Sequence, residues 1–388
     1  MHLIIFFTYG VSVKLWNETG LLDREILIYK EFIKDGHRVT FITYGDEEDL
    51  NFQDKTEGIQ VIPVYKYLRR PGNSFIRFIH SFFVPFKLKN YLKDGDIYKT
   101  NQMFGSWMAI ISKLLYKKKL VIRCGYEFFR NHGIRGEYHF LKRSLFFIFG
   151  YLLEAISYPA ADCVIITSLS NYEFIKRCFL FNHHKLKVVR NYIDTDLFKP
   201  QVTSKTCDLL YIGRITQCKN LLNLLTALDG LCYKLAIIGK GELADTLEAI
   251  SKENKINLEM KGVVPNNELP EHINKARVFI LPSFYENSPK ALLEAMSCGA
   301  AVIGADVDGI RELIIHKKNG CLCQTDSESI RAAIIELMAD DNLREELGKK
   351  AREFTIENCS LKNVYKKELD LYGEVLKSNA RKSRAKGY

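Results

Sequence analysis

The run Val278-Phe279-Ile280-Leu281-Pro282-Ser283-Phe284-Tyr285-Glu286-Asn287-Ser288-Pro289-Lys290-Ala291-Leu292-Leu293-Glu294-Ala295-Met296-Ser297-Cys298-Gly299-Ala300-Ala301-Val302-Ile303-Gly304 reads as a strand, a loop, a helix and a second strand. Strands joined by a helix-length crossover lie parallel in one sheet, with the helix covering a face. Ser288 is a good N-cap residue and Pro289 suits the first helical position, so the helix is expected to start there. Its unpaired N–H groups and positive dipole end would then suit a phosphate. The loop sets Glu286 at the carboxyl end of the first strand, with Asn287 beside it. Glu294 falls about 1.5 turns into the helix, within reach of ribose hydroxyls. The plainer alternative is a pair of solvated glutamates.

The same alternation extends in both directions. In the first half, strands are expected at 3–8, 38–44, 59–64, 97–100, 120–124, 163–167 and 187–190, and helices at 18–34, 75–92, 106–115, 138–155 and 171–179. In the second half, strands are expected at 209–212, 234–238, 257–261, 278–281 and 301–304, with helices between them and three helical segments closing the chain. The pattern pauses over 191–206, which is rich in turn residues and reads as a hinge. An α/β chain of two doubly wound, Rossmann-like domains facing each other across a cleft is expected, with domains at 1–190 and 191–360 and a last helical stretch, 361–388, packing back on the first.

Upstream, Leu210-Tyr211-Ile212-Gly213-Arg214-Ile215-Thr216-Gln217-Cys218-Lys219-Asn220 is the first strand–loop–helix of the second half. Gly213 permits a tight turn, and Arg214 and Lys219 offer two cations for a departing diphosphate. Surface pairing with carboxylates is the alternative. Gly239-Lys240-Gly241-Glu242-Leu243-Ala244, with Glu259 twenty residues past Gly239, fits a dinucleotide-binding fingerprint. However, it follows the second strand of its half rather than the first, so nicotinamide binding is not expected. Asp-x-Asp recurs at Asp94/Asp96, Asp194/Asp196 and Asp306/Asp308, in turns, which points to loop composition rather than to a metal site.

The 388 residues, 47% hydrophobic and 26% charged, supply two cores and exclude disorder and coiled coil. No window offers the roughly 18 uncharged apolar residues of a membrane span, and the first residues read as a strand, so a cytoplasmic location is expected. The ten cysteines include no C-x-x-C pair and read as reduced thiols. Net charge is +10, but it is uneven: residues 1–195 hold 28 Lys/Arg against 19 Asp/Glu, and 196–388 hold 28 against 27. Residues 65–93 contribute seven cations, no acid and a row of phenylalanines. That segment is either a core-facing helix with a solvated basic side or an interfacial helix touching anionic lipid at the inner face of the plasma membrane. No nucleic-acid reader motif accompanies it.

Taken together, these motifs resemble the retaining, nucleotide-sugar-dependent glycosyltransferases of the GT-B fold, family 4, also described as glycosyl transferases group 1. Glu286 and Glu294 match the family's E-x7-E signature, and Arg214 and Lys219 its phosphate pair. Asn191, Asp194, Phe198 and Pro200 match its hinge, with Tyr192 in place of a glycine, and Gly239 and Gly241 match its strand-end Gly-x-Gly. Gly262-Val263-Val264-Pro265 resembles its nucleobase turn, and Gly309 to Ile314 its Gly-Ile-x-Glu-Leu-Ile element. The resemblance implies a donor site of Glu294 on ribose, Arg214 and Lys219 on the diphosphate, Glu286 on the sugar, and Asn287, Ser288, Gly213, Gly239 and Val263 around the nucleotide. It implies a glycan or lipid-linked acceptor, front-face attack without a covalent nucleophile, and no required metal or cofactor. In the first half, where the family carries a Gly-Gly pair, only single glycines, Gly10 and Gly20, stand. The usual histidine after strand 120–124 is missing, leaving Arg123, Tyr126 and Glu127 as replacements, with His132 further on. A GT-B epimerase and a non-catalytic lipid- or partner-binding relative are the alternatives.

Overall fold

Short apolar runs become parallel strands in both halves of the computed structural model, which describes residues 1–125, 129–130 and 140–384. Two compact units form, Met1–Val189 with Tyr365–Tyr388, and Arg190–Val364. In the first unit, β1 (His2–Phe6), β2 (Arg38–Thr43), β3 (Ile59–Pro63), β4 (Ile97–Thr100), β5 (Lys119–Cys124), β6 (Cys163–Ile166) and β7 (Leu186–Val188) pair in the order β3-β2-β1-β4-β5-β6-β7. Every pairing is parallel, with Leu3 opposite Val39 on one side and Ile97 on the other. Covering helices bury both faces, which is why β1 is apolar at every position from Leu3 to Phe6 instead of alternating.

The second unit repeats this plan with β8 (Cys207–Ile212), β9 (Leu235–Ile238), β10 (Leu258–Gly262), β11 (Ala276–Leu281), β12 (Ala301–Ala305) and β13 (Cys321–Cys323), ordered β10-β9-β8-β11-β12-β13. Strand order reverses between β1 and β4 in the first sheet and between β8 and β11 in the second. At such a point the two flanking loops diverge and leave a crevice beyond the carboxyl ends of the strands.

Two expected helices are broken, each for a local reason. In place of 18–34 the chain forms Val13–Glu18, Leu22–Glu25 and Leu27–Lys34. Gly20, at φ 68°, stops the first of these and donates its N–H to Asn17 O at 3.0 Å. In place of 75–92 it forms Ser74–Ser81, Val84–Lys87 and Lys89–Leu92, with Pro85 removing a donor from the ladder.

In the first unit the residues from Tyr365 onward pack on the sheet through a buried charge cluster. Lys99 on β4 donates to Glu368 at 2.6 Å, Arg123 on β5 donates to its other oxygen at 2.8 Å, and Tyr372 OH adds a bond at 2.5 Å. Burial alone would push the Glu368 carboxyl up, but Lys99 and Arg123 hold it below its ordinary value. All ten cysteines are free. Burial pushes Cys163 and Cys323 up to about 12, so these thiols stay protonated and act as small apolar groups.

Candidate active site

The loops that follow β8 and β11 flank the crevice of the second sheet, and a network of short bonds joins them. Asn220, in the left-handed region at φ 59°, is buried and donates through Nδ2 to Pro282 O at 2.9 Å and to Thr325 O at 2.7 Å. Asparagine is one of the few residues that adopt this backbone readily. Phe284 N donates to Cys218 O at 2.9 Å, and Tyr211 OH to Arg214 O at 2.8 Å. On this frame Lys219 Nζ lies 2.5 Å from Glu286 Oε1, which also accepts from Ser283 Oγ at 2.7 Å. The Lys219 and Glu286 side chains are only 14% and 12% exposed. Arg214 stands exposed in the same turn and makes no side-chain hydrogen bond or ion pair among the described residues.

The helix after this loop starts one residue later than the sequence suggests. It runs Lys290–Ser297, with Pro289 in the cap position and no side-chain cap. Ser288 therefore sits one residue too early to cap it. Its carbonyl accepts from Asn191 Nδ2 at 3.0 Å, while its Oγ and Asn287 Oδ1 are buried with no hydrogen-bond partner among the described residues. A buried polar atom left unpaired costs roughly 1–3 kcal/mol. Gly309 presses on this loop from outside: a Cβ there would meet Glu286 O at 2.5 Å and Asn287 O at 2.4 Å.

Glu294 is 2% exposed, and its Oε1 accepts from Asn266 Nδ2 at 3.3 Å. Asn266 belongs to the turn after β10, where Gly262 has φ 66° and Val263 is largely exposed. The carboxyl ends of β8, β9 and β10 meet in a ledge of backbone. Gly213 N donates to Ile238 O at 2.9 Å, and Gly239 N to Gly262 O at 2.7 Å. A Cβ on Gly239 would lie 1.8 Å from Gly213 O, and one on Gly241 would lie 2.2 Å from Ile215 O. The Gly-x-Gly that imitates a dinucleotide fingerprint is thus required by the contact between two neighbouring loops.

The Asp-x-Asp pairs are held locally. Asp194 Oδ1 accepts from the N–H groups of Asp196 and Leu197, both at 3.0 Å, Asp306 and Asp308 face Arg311, Asp94 faces Arg38, and Asp96 accepts from His2 N. In the hinge, Lys290 Nζ lies 5.3 Å from the ring centre of buried Tyr192, the residue that replaces the family glycine.

In the first unit Gly10 follows β1 at φ 80°, inside a turn closed by Val11 N on Thr8 O at 3.0 Å, and Gly20 lies at the far end of the helix Val13–Glu18. Gly105 lets the loop after β4 approach the β1 loop, since a Cβ there would meet Tyr9 N at 2.9 Å. Arg123, a candidate to replace the missing histidine, is committed to the buried Glu368. Tyr126, Glu127 and His132 lie outside the described residues.

Residues 193–354 match the family model for glycosyl transferases group 1, and residues 27–197 match glycosyltransferase family 4. The chain belongs to these glycosyltransferases. This glycosyltransferase is 27% identical over 254 residues to alpha-maltose-1-phosphate synthase of Mycolicibacterium smegmatis, covering 58% of the chain and 66%, just under two thirds, of that relative. It is 26% identical over 294 residues to N-acetylgalactosamine-N,N'-diacetylbacillosaminyl-diphospho-undecaprenol 4-alpha-N-acetylgalactosaminyltransferase of Campylobacter jejuni, covering 72% of the chain and 78% of that enzyme. Sucrose-phosphate synthase from Thermosynechococcus elongatus matches with a TM-score of 0.77 at 17% identity, over 97% of this chain and 100% of that one. Anabaena HepE in complex with UDP and glucose matches at 0.74 and 15%, over 96% and 100%. At these identities the likeness is one of fold, and that fold is GT-B. Among the described residues no helix of the glycosyltransferase is long and apolar enough to cross a membrane.

Proposed function

We propose that this glycosyltransferase moves a sugar from a nucleoside diphosphate to a glycan or lipid-linked acceptor with retention of anomeric configuration, in the synthesis of a cell-surface polysaccharide or glycolipid. The observation that carries the donor assignment is the Lys219–Glu286 pair at the switch point of the second sheet, flanked by unpaired Arg214 and the orphaned Asn287 Oδ1 and Ser288 Oγ. In this reading the diphosphate takes Arg214, Lys219 and the uncapped helix start at Lys290. Glu286 then exchanges its bond to Lys219 for the hydroxyls of the sugar. Glu294 exchanges Asn266 for the ribose, and Val263 and the backbone of Gly213, Gly239 and Gly262 line the nucleotide.

The bond from the anomeric carbon to the diphosphate oxygen breaks with both electrons going to that oxygen, and the acceptor oxygen attacks on the same face. The acceptor proton passes to the departing phosphate oxygen, so neither a covalent nucleophile nor a metal is required. The UDP held by HepE makes uridine diphosphate sugars the first donors to try, and the diphospho-undecaprenol substrate for which the Campylobacter relative is named favours a lipid-linked acceptor. The test is product analysis by mass spectrometry and proton NMR over a panel of nucleotide sugars, in the presence of a chelator. An α-linked product from an α-linked donor, formed in the chelator, is expected. An inverted product, a metal-dependent reaction or an epimerised donor without acceptor would each contradict the reading.

A further inference from the structure

We propose that the first unit carries a two-helix platform that docks on an anionic lipid bilayer. This deepens the acceptor half of the proposed function, and it rests on that reading only for the cargo reached, a lipid-linked acceptor. The helix Ser74–Ser81 and the turns after it divide their phenylalanines between two directions. Phe78 and Phe82 pack inward on Trp107 at 5.2 and 5.7 Å between ring centres. Phe75, Ile76, Ile79, Phe83 and Phe86 turn outward, Phe75 being 70% exposed and Phe83 57%.

A second stripe, invisible in the basic segment alone, lies on the helix Phe140–Ala160. Its Phe147, Ile148, Tyr151, Leu152 and Ile156 are exposed at a spacing that places them on one face. Glu154, the one acid between 147 and 160, is turned inward, where it accepts from Phe129 N at 3.0 Å and Tyr158 OH at 3.2 Å. Phe149 joins the two helices, with its ring 6.3 Å from that of Phe78. The segment that carries the first stripe also holds the exposed Arg69, Arg70, Lys87, Lys89 and Lys93 and no acid, while its Lys66 faces Glu47 at 3.8 Å.

Charge selects the occupant. A second copy docking through this face would set the same cations against each other, because a two-fold interface is self-complementary. An anionic leaflet supplies phosphates at the level of the cations and hydrocarbon just beneath, where the outward aromatic and aliphatic side chains would lie.

The test is sedimentation of the full chain with phosphatidylcholine vesicles, with and without phosphatidylglycerol, at low and high salt. Binding is expected only to the anionic vesicles, and weaker in high salt. Replacing Arg69, Arg70 and Lys87 together by Ser should weaken it roughly 100-fold, at about 1 kcal/mol per surface cation and 1.4 kcal/mol per factor of ten. A second variant, Phe147→Ser/Ile148→Ser/Ile156→Ser, should also lose binding, which a basic patch alone would not produce. Circular dichroism and unchanged UDP binding check that both variants are folded. Equal or negligible binding to the two vesicle types, or a second variant that still binds, would overturn the platform, as would a dimer that the second variant dissociates. Vesicle binding by a chain that transfers no sugar would sink the proposed function and leave the platform standing. Transfer without vesicle binding would do the reverse.

Discussion

Replacing Lys219 by Met should separate what the Lys219–Glu286 pair does for stability from what it does for transfer. The two side chains meet at 2.5 Å and are 14% and 12% exposed, so water reaches only one edge of the pair. Stranding one partner of a fully buried pair costs about 3–5 kcal/mol, while an exposed pair is worth about 0–1 kcal/mol. With Ser283 Oγ still bonded to Glu286, a cost of about 2 kcal/mol is expected for Lys219→Met. Adding Glu286→Gln removes the stranded charge and should restore most of that loss. The rate behaves differently: a cation aimed at the leaving diphosphate is worth roughly 100- to 1,000-fold, and the second substitution does not replace it. Stability is read from urea-dependent hydrogen exchange of β8 and β11 amides, which isolates this unit, and transfer from initial rates with saturating donor. A double variant no more stable than Lys219→Met, or a single variant with wild-type rate, would refute the assignment.

Arg214→Ala removes an exposed, unpaired cation, so it should lower kcat/KM about 100-fold with stability changed by less than about 0.5 kcal/mol, as kinetics and urea titration will report. Gly239→Ala drives a Cβ to 1.8 Å from Gly213 O at a backbone φ of 145°, and the variant should lose about 3 kcal/mol or more in urea titration. Glu368→Gln leaves buried Lys99 and Arg123 without their carboxylate, and about 3–5 kcal/mol should be lost from the first unit. The folded Glu368 carboxyl is held below its ordinary value of 4.5, so its contribution is complete above that pH and vanishes as pH falls through the lower, folded value. Urea titrations at stepped pH should show this acid loss in the wild type and a flatter profile in Glu368→Gln.

The doubly wound order was legible because both halves repeat apolar strand and helical segment, a pattern dominated by burial on both faces of a parallel sheet. Helix continuity was less legible. Spacing alone does not register that Gly20 takes a left-handed turn or that Pro85 interrupts a run of aromatics. In the candidate site, Glu286, Glu294, Arg214 and Lys219 stood out by motif, yet the direct bond between Lys219 and Glu286 joins residues 67 apart and depends on the switch point. Asn220 and Asn266 carried no motif, because each acts through a carbonyl or carboxylate supplied by a distant loop. The one local signal was Asn220 itself, an asparagine directly after Lys219, the residue type that accepts a left-handed φ. Ser288 was misplaced as a cap by one residue, since Pro289 occupies the cap position itself. The outward stripe on Phe140–Ala160 was hidden because that helix is mostly apolar in sequence, and its faces are divided by the burial of Leu153, Glu154, Ser157 and Tyr158.

The central claim is that the carboxyl ends of β8, β9, β10 and β11 hold a nucleoside diphosphate. Hydrogen–deuterium exchange of the full chain with and without saturating UDP tests it most directly. Slowed exchange is expected at 213–220, 239–241, 262–266 and 284–294, and in Lys219→Met the same protection should need a higher UDP concentration. Tight UDP binding with protection elsewhere and none in these four segments would contradict it.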